Sequence, residues 1–220
     1  MTVVVVAAHP DDEILGAGAT LARHVRRGRE VHAVVLAEGA TSRYDDGMVP
    51  VLQKAATRSA EQIGFASIRF EAFPDQRMDA VPLIEITQRI EQILRELRPR
   101  VVYTHFPGDV NLDHGVTARA AWTACRPYAL PGLRRFAVFE TPSSTEWGWP
   151  VGPEVFRPNR FVDVSGVLDV KLAAMECYES ELRDEPHPRS PEALRARAAG
   201  WGSVIGVRYA EAFMVLREVT

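Results

Sequence analysis

The feature that most restricts the fold is a run of four consecutive valines, Val3–Val6, followed directly by two alanines. A strand with so many apolar residues in succession has no polar face, so it must be buried on both sides. Strands of this kind belong to parallel sheets that helices cover on both faces. The run therefore predicts a central strand of an α/β fold close to the beginning of the chain.

The rest of the chain alternates between short β-branched runs and longer segments of helical period, a pattern typical of βαβ units. Strands are predicted near Thr2–Ala7, Val31–Ala37, Ile68–Phe73, Val101–Thr104, Ala137–Glu140 and Arg160–Asp163. Helices are predicted at Ile14–Arg27, Val51–Ile63, Leu83–Leu97, Val116–Ala124 and Val167–Ser180, and near Pro191–Ala199. We expect residues 1–220 to form a single domain, a Rossmann-like, mainly parallel sheet flanked by helices, with its active site at the carboxyl ends of the strands.

The net charge and the cysteine content limit the classes of partner that the chain can bind and the cellular compartment in which it is expected. The formal net charge of -3 provides no overall attraction to nucleic acid or to an anionic membrane. We interpret the local arginine cluster between Arg23 and Arg29 as the solvated end of a helix, with His24 at its surface. The two cysteines lie far apart, and we find neither a signal peptide nor an apolar stretch of membrane-spanning length. These observations predict a cytoplasmic protein without a membrane span.

The predicted first strand ends in the motif AHPDDE, where a histidine and three acids stand close together. Acids are favourable in the first turn of a helix, where each gains roughly 0.3–1 kcal/mol from the helix dipole, but this does not explain His9. A second polar cluster runs from His105 to His114, after the fourth strand. If the two strands are neighbours, the clusters meet, and imidazole and carboxylate ligands with an open position are typical of a catalytic zinc site.

With these two clusters, the chain resembles the zinc-dependent N-deacetylases of the PIG-L/LmbE family, whose motifs are A/G-H-P-D-D-E and a later D-H pair. Further likeness lies in FPDQRMD, VDVSGVLDVKLAAMECYESE, HPRS and YAEAF, and so extends over most of the chain. The resemblance implies that His9, Asp12 and His114 bind the metal and that Asp11 is the catalytic base. It also implies one zinc ion, or another divalent ion, and a small amino-sugar substrate that loses an N-acetyl group.

Residue types explain why two of the acids are adjacent. Asp11 cannot easily bind the same ion as Asp12, because neighbouring side chains point in different directions, so it is free to take a proton from water and return it to the leaving amine. We interpret Glu13 as a helix-start acid or as a partner of a site residue. Asp113 is expected to orient a neighbouring side chain rather than to bind the metal.

The chain departs from the family at one position. Several members have a histidine three residues before the second histidine ligand, where it stabilises the tetrahedral oxyanion; here the residue is Asn111. An amide N–H can donate to an oxyanion but supplies neither a proton nor a positive charge. His105 and His187 are the candidates for that missing group, although His105 fits equally well as a strand-end histidine bonded to backbone.

Two further segments are predicted to reach the site. FPDQRMD follows the third strand, and we expect Asp75, and secondarily Arg77, to bind sugar hydroxyls; the alternative is that Asp75 only forms a turn after Pro74. RDEPHPRS joins two late helices, and we expect it to fold over the metal. His187 would then face the oxyanion or the leaving nitrogen, and Arg189 would bind substrate oxygens or acidic neighbours, while Ser190 caps the next helix.

Two other functions stay open at this stage. A metal-dependent phosphoesterase would usually need a second metal about 3.5–4 Å from the first, and so more ligands than we can assign. A non-catalytic glycan-binding module would not need the base Asp11. Trp147 and Trp149 could stack on a sugar, pack on the core or contact a second subunit, so a homo-oligomer is also left open.

Overall fold

The computed structural model describes residues 1–42, 47–150, 152 and 155–220. The strands are β1 (Thr2–Ala7), β2 (Glu30–Ala37), β3 (Ser67–Phe73), β4 (Val101–His105), β5 (Arg135–Phe139), β6 (Arg160–Asp163) and β7 (Ala210–Glu218). The α-helices are α1 (Asp12–Arg26), α2 (Met48–Ile63), α3 (Leu83–Leu97), α4 (Leu112–Ala124), α5 (Leu168–Glu176) and α6 (Pro191–Ile205). Short 3₁₀ segments lie at Met78–Ala80 and Thr145–Trp147.

The strands form one sheet in the order β3-β2-β1-β4-β5-β7-β6. The five strands from β3 to β5 pair in parallel, which confirms the predicted Rossmann-like fold. Strand β7 pairs antiparallel with both β5 and β6, and the sequence analysis did not predict it. A search for β-branched runs misses β7 because Val215 is its one β-branched residue.

Valines of β1 pack on both faces of the sheet, as the opening run predicts. Val3 and Val5 belong to a core with α1, α2, α5 and α6, whereas Val4 and Val6 belong to a core with α3 and α4. Within the described part of the chain, no helix combines the length and apolar character that crossing a membrane requires.

Several element boundaries differ from the predicted ones, and one difference matters for the site. Helix α4 begins at Leu112 rather than at Val116, because the Asn111 side chain caps it by accepting the N–H of Asp113 at 2.9 Å. Asp113 and His114 therefore lie in the first turn of a helix. The segment between β5 and β6 includes the second 3₁₀ segment, and its residues 151, 153 and 154 lie outside the described residues.

The end of α1 also differs from its prediction. His24 is only 6% exposed, so the expectation that it lies at the surface is wrong. Its ring lies 3.1 Å from the Tyr103 hydroxyl and accepts a hydrogen bond from Arg29 at 2.8 Å. Arg27 is exposed, as expected for the solvated end of a helix, but Arg23 and Arg29 are half-buried.

Candidate active site

The site lies where the strand order reverses. From β1 the chain continues outward to β2 and β3, and then returns to add β4 on the other side of β1. Open α/β sheets bind ligands in the crevice that such a reversal creates beyond the carboxyl ends of the strands. His9 follows β1, and His114 lies on α4 directly after β4, so both motifs reach this crevice.

The three predicted metal ligands meet there. One Asp12 carboxylate oxygen lies 3.2 Å from Nδ1 of His9 and 3.3 Å from Nε2 of His114. One potential ligand atom from each residue falls within 4.8 Å of the others. We call these three buried residues the His–Asp cluster.

Carboxylates stand behind both imidazoles of the cluster. Nε2 of His9 lies 3.1 Å from Asp113 and 3.3 Å from Asp75, and Nδ1 of His114 lies 3.2 Å from Asp109. Histidines that bind metals are commonly oriented in this way, with the second ring nitrogen facing a carboxylate. The arrangement therefore leaves Nδ1 of His9 and Nε2 of His114 directed at Asp12, where an ion would bind.

His9 also takes part in a second group of potential ligands, together with Asp75 and Asp113. The Asp113 oxygens accept the N–H groups of Gln76 and Met78 at 2.8 and 3.0 Å. Asp113 is thus fixed to the backbone and faces His9, as expected for a residue that orients a neighbour.

Charge in the cluster is arranged to receive a cation. Burial alone would lower the pKa of His9, but hydrogen bonds with Asp113 and Asp12 outweigh it and raise the pKa to about 10. Burial alone would likewise lower the pKa of His114, but Asp12 and Asp109 outweigh it and raise the pKa to about 9. Without an ion, the surrounding carboxylates therefore hold protons on both rings. A divalent cation can replace them, because metal binding to such ligands releases protons.

Asp11 lies beside the cluster in a strained backbone conformation, with φ at 108°. Burial raises the pKa of its carboxyl to about 8, although Arg189 counteracts the shift through an ion pair at 2.7 Å. Glu13 accepts the N–H of Asp11 at 3.1 Å and the Tyr178 hydroxyl at 2.5 Å. Glu13 thus supports the turn that carries Asp11, in agreement with its interpretation as a partner residue.

A cavity of about 490 Å³ opens over the cluster. Predicted site residues that line it are His9, Asp11, Asn111, His114, His187 and Arg189. The segment before α6 thus reaches the site, and Ser190 caps that helix by accepting the Ala193 N–H at 3.1 Å, as predicted. Arg189 contacts acidic neighbours, Asp11 and Glu181, and also donates to Ser143 at 2.7 Å.

Four predicted site residues lie outside the cavity lining: Asp12, which belongs to the His–Asp cluster, and His105, Asp75 and Arg77. His105 is fully buried: its Nε2 accepts the Ala8 N–H at 2.9 Å and its ring stacks on His114, as for a strand-end histidine bonded to backbone. Asp75 is 1% exposed and faces His9 and Ser42, so its contacts favour orienting His9 over binding a sugar. Arg77 is exposed.

The sequence analysis assigned no role to some residues that shape the cavity. Gln76 and Ser143 line it, and both have positive φ, 54° and 69°. Together with Asp11, they place three strained non-glycine residues around one cavity, a clustering that is typical of functional sites. No local sequence signal marks such strain in a non-glycine residue. Asp109 was visible in the second motif, but its position behind His114 depends on the fold.

The chain is similar to known proteins in sequence and in fold. A diacetylchitobiose deacetylase from Thermococcus kodakarensis is 27% identical over 95% of this chain and 80% of its own length. A 4-oxalmesaconate hydratase from Pseudomonas putida is 26% identical over 81% of this chain and 73% of its own length. The solved N,N'-diacetylchitobiose deacetylase from Pyrococcus horikoshii has the same fold, with a TM-score of 0.81 at 22% identity, over 98% of this chain and 84% of that chain.

The family description "PIG-L: GlcNAc-PI de-N-acetylase" matches residues 4–125. The matched range runs from within β1 to the end of α4, and so contains both motifs and all three members of the His–Asp cluster. Since the match covers more than half of the chain, the protein belongs to the PIG-L family.

Proposed function

We propose that the chain is a zinc-dependent hydrolase that removes an N-acyl group, most simply acetyl, from an amino sugar or an amino-sugar conjugate. The observation that carries the proposal is the His–Asp cluster, with ligand atoms from His9, Asp12 and His114 within 4.8 Å of one another and Asp11 lining the same cavity. Relatives with deacetylase activity on N-acetylglucosamine-containing compounds support the substrate class.

The donor set fits zinc, which binds imidazole and carboxylate ligands and keeps one position open in catalytic sites. When bound, the ion would polarise the acyl carbonyl and lower the pKa of a water molecule towards about 7. A cation held beside it would lower the raised pKa of Asp11, so that its carboxylate could take a proton from water and return it to the leaving amine. Its ion pair with Arg189 at 2.7 Å fixes the direction of the carboxylate.

The remaining residues of the cavity bind and orient the substrate. The side-chain amide of Asn111 can donate to the oxyanion, since its oxygen is already occupied by the Asp113 N–H. His187 also lines the cavity, with its ring 6.2 Å from that of Trp147, and is placed to donate a hydrogen bond to the oxyanion or to the leaving nitrogen. Trp147 is 57% exposed at the cavity edge, where an indole can pack against a sugar ring.

The test measures zinc content and acetate release with N-acetylglucosamine and N,N'-diacetylchitobiose. Wild type should bind one zinc per chain and release acetate, whereas His114→Ala should lose both properties. The matched control is His32→Ala, which removes a half-buried histidine on β2 that bonds to Ser67 rather than to the cluster. Full zinc retention by His114→Ala would contradict the ligand assignment.

The same preparation separates the alternative functions. Release of phosphate from p-nitrophenyl phosphate without acetate release would favour the phosphoesterase. Binding of the sugars without turnover would favour a glycan-binding module. Hydration of an unsaturated carboxylic acid without acetate release would replace hydrolysis, since one relative is a hydratase.

A further inference from the structure

A second cavity, of about 350 Å³, lies between the C-terminal half of α1, the amino ends of β4 and β5, and strand β6. Seven arginines line it, and none of its lining residues is acidic within the described part of the chain. This is unexpected in a chain whose formal net charge is -3. We call this site the arginine cavity.

The arginines come from separate elements that the fold brings together. Arg23 and Arg27 lie on or just after α1, Arg100 precedes β4, and Arg134 precedes β5. A helix C-terminus explains the basic residues of α1, because cations there interact favourably with the helix dipole. It does not explain Arg100 and Arg134, which come from the opposite side of the cavity.

Several of these side chains have no carboxylate partner. Glu218 pairs with Arg135 and, at 3.7 Å, with Arg160. Asp163 lies near Arg23, which contributes to lowering the pKa of that carboxyl after its hydrogen bonds with Ser165. In contrast, Arg27, Arg100 and Arg134 form no ion pair among the described residues, and Arg29 donates to His24 rather than to an acid.

Two buried polar atoms of the lining also lack partners. Thr20 is 1% exposed and its hydroxyl makes no hydrogen bond, and Nε of Arg160 is likewise buried without an acceptor. Buried donors are normally satisfied, so unsatisfied ones indicate a missing partner. Both groups can donate, and a ligand rich in acceptor oxygens would satisfy them.

We infer that the arginine cavity binds a small molecule that carries a phosphate or pyrophosphate group. Guanidinium groups bind phosphate oxygens in a bidentate manner, and several unpaired arginines around one cavity favour a multivalent anion. The cavity volume of about 350 Å³ suits a small ligand rather than a nucleic-acid strand. This site is separate from the His–Asp cluster and does not depend on the proposed deacetylase activity.

The test is isothermal titration calorimetry with inorganic pyrophosphate on the zinc-loaded protein, in phosphate-free buffer. The double variant Arg100→Gln and Arg134→Gln should bind at least tenfold more weakly than wild type, and both residues are exposed, so their replacement should leave the fold intact. The control is Arg126→Gln, which replaces an exposed arginine outside the cavity lining and should bind like wild type.

A second variant tests the buried hydroxyl. Thr20→Val keeps the shape of the side chain but removes its donor, so it should weaken pyrophosphate binding several-fold without lowering the melting temperature. Unchanged binding in both the double variant and Thr20→Val would overturn the inference, as would an absence of binding by wild type.

Further binding measurements identify which class of ligand binds and at which site. Binding that survives in His114→Ala supports a site apart from the metal, whereas loss of binding in that variant would assign the pyrophosphate to zinc. Equal affinity for citrate would overturn the preference for phosphate. Tighter binding of a single-stranded RNA oligonucleotide, with the same dependence on Arg100 and Arg134, would overturn the small-molecule assignment.

Discussion

The His–Asp cluster and the arginine cavity differ in how their charged side chains are paired. In the cluster, each imidazole has carboxylates on both sides, and even Asp11 has its own guanidinium partner. In the arginine cavity, charges of one sign face one another. The ionisable groups of the cluster thus pair mainly with one another, whereas Arg27, Arg100 and Arg134 of the cavity have no carboxylate partner among the described residues.

The largest expected effect comes from replacing the proposed base beside the His–Asp cluster while leaving the metal-binding residues unchanged. Asp11→Asn should retain zinc, because the amide is nearly isosteric and Asp11 is proposed as a base rather than as a ligand, while turnover falls by about 10²–10⁴. Steady-state kinetics and metal analysis check this together. Asp169→Asn, an exposed carboxylate on α5, serves as the control and should behave like wild type. Unchanged turnover in Asp11→Asn would mean that another residue is the base.

The next largest effect is expected in zinc affinity, when a carboxylate that contacts a histidine of the cluster is replaced. Asp113→Asn should weaken zinc affinity by about 10- to 100-fold, because the amide orients His9 less well. Competition with a chelator measures this affinity. Asp79→Asn, an exposed neighbour in the 3₁₀ segment, should leave zinc affinity unchanged. Equal affinities in the two variants would show that Asp113 has no orienting role.

The two regions also differ in how much of each could be predicted from the sequence. His9 and Asp12 stand three residues apart, and His114 lies in one further motif, so the cluster depended on a single tertiary assumption, that β1 and β4 are neighbours. For Asp75, FPDQRMD indicated the rim of the sheet but not the direction of the side chain, which faces His9. Arg100, Arg134 and Arg160 share no local motif, and the packing that gathers them depends in part on β7, which was not predicted.

A pH experiment sharpens the description of the arginine cavity. Burial, followed by Arg29 and other arginines, lowers the pKa of His24 to about 3, so the folded protein keeps the ring neutral. In the unfolded chain the ring binds a proton below its ordinary pKa of 6.5. The contribution of His24 to stability is therefore fully present above pH 6.5 and is lost as the pH falls towards 3.

Between pH 7.5 and pH 5, this loss should amount to about 2 kcal/mol in the free energy of unfolding. Urea unfolding of wild type and His24→Gln at both pH values isolates the effect, since glutamine does not titrate and other groups change equally in both proteins. Parallel pH dependence in the two proteins would contradict the depressed pKa.

The smallest expected effect distinguishes a residue that stabilises the fold beside the candidate site from a residue that takes part in turnover. Ser190→Ala removes the cap of α6 and should cost about 1 kcal/mol, or a decrease of roughly 2–4 °C in melting temperature. Turnover should stay close to wild type, because Ser190 does not line the cavity. A large loss of turnover at unchanged stability would show that the position of Arg189 depends on this cap.

The place of β7 in the sheet has a consequence for the order of events during synthesis. Strands β1 to β5 pair with one another and lie within the first 139 residues, so they can assemble on a nascent chain. Among the described residues, strand β6 pairs in the sheet only with β7, which comprises residues 210–218. Arg160 therefore reaches its final position only after β7 has been synthesised, whereas all three residues of the His–Asp cluster are available much earlier.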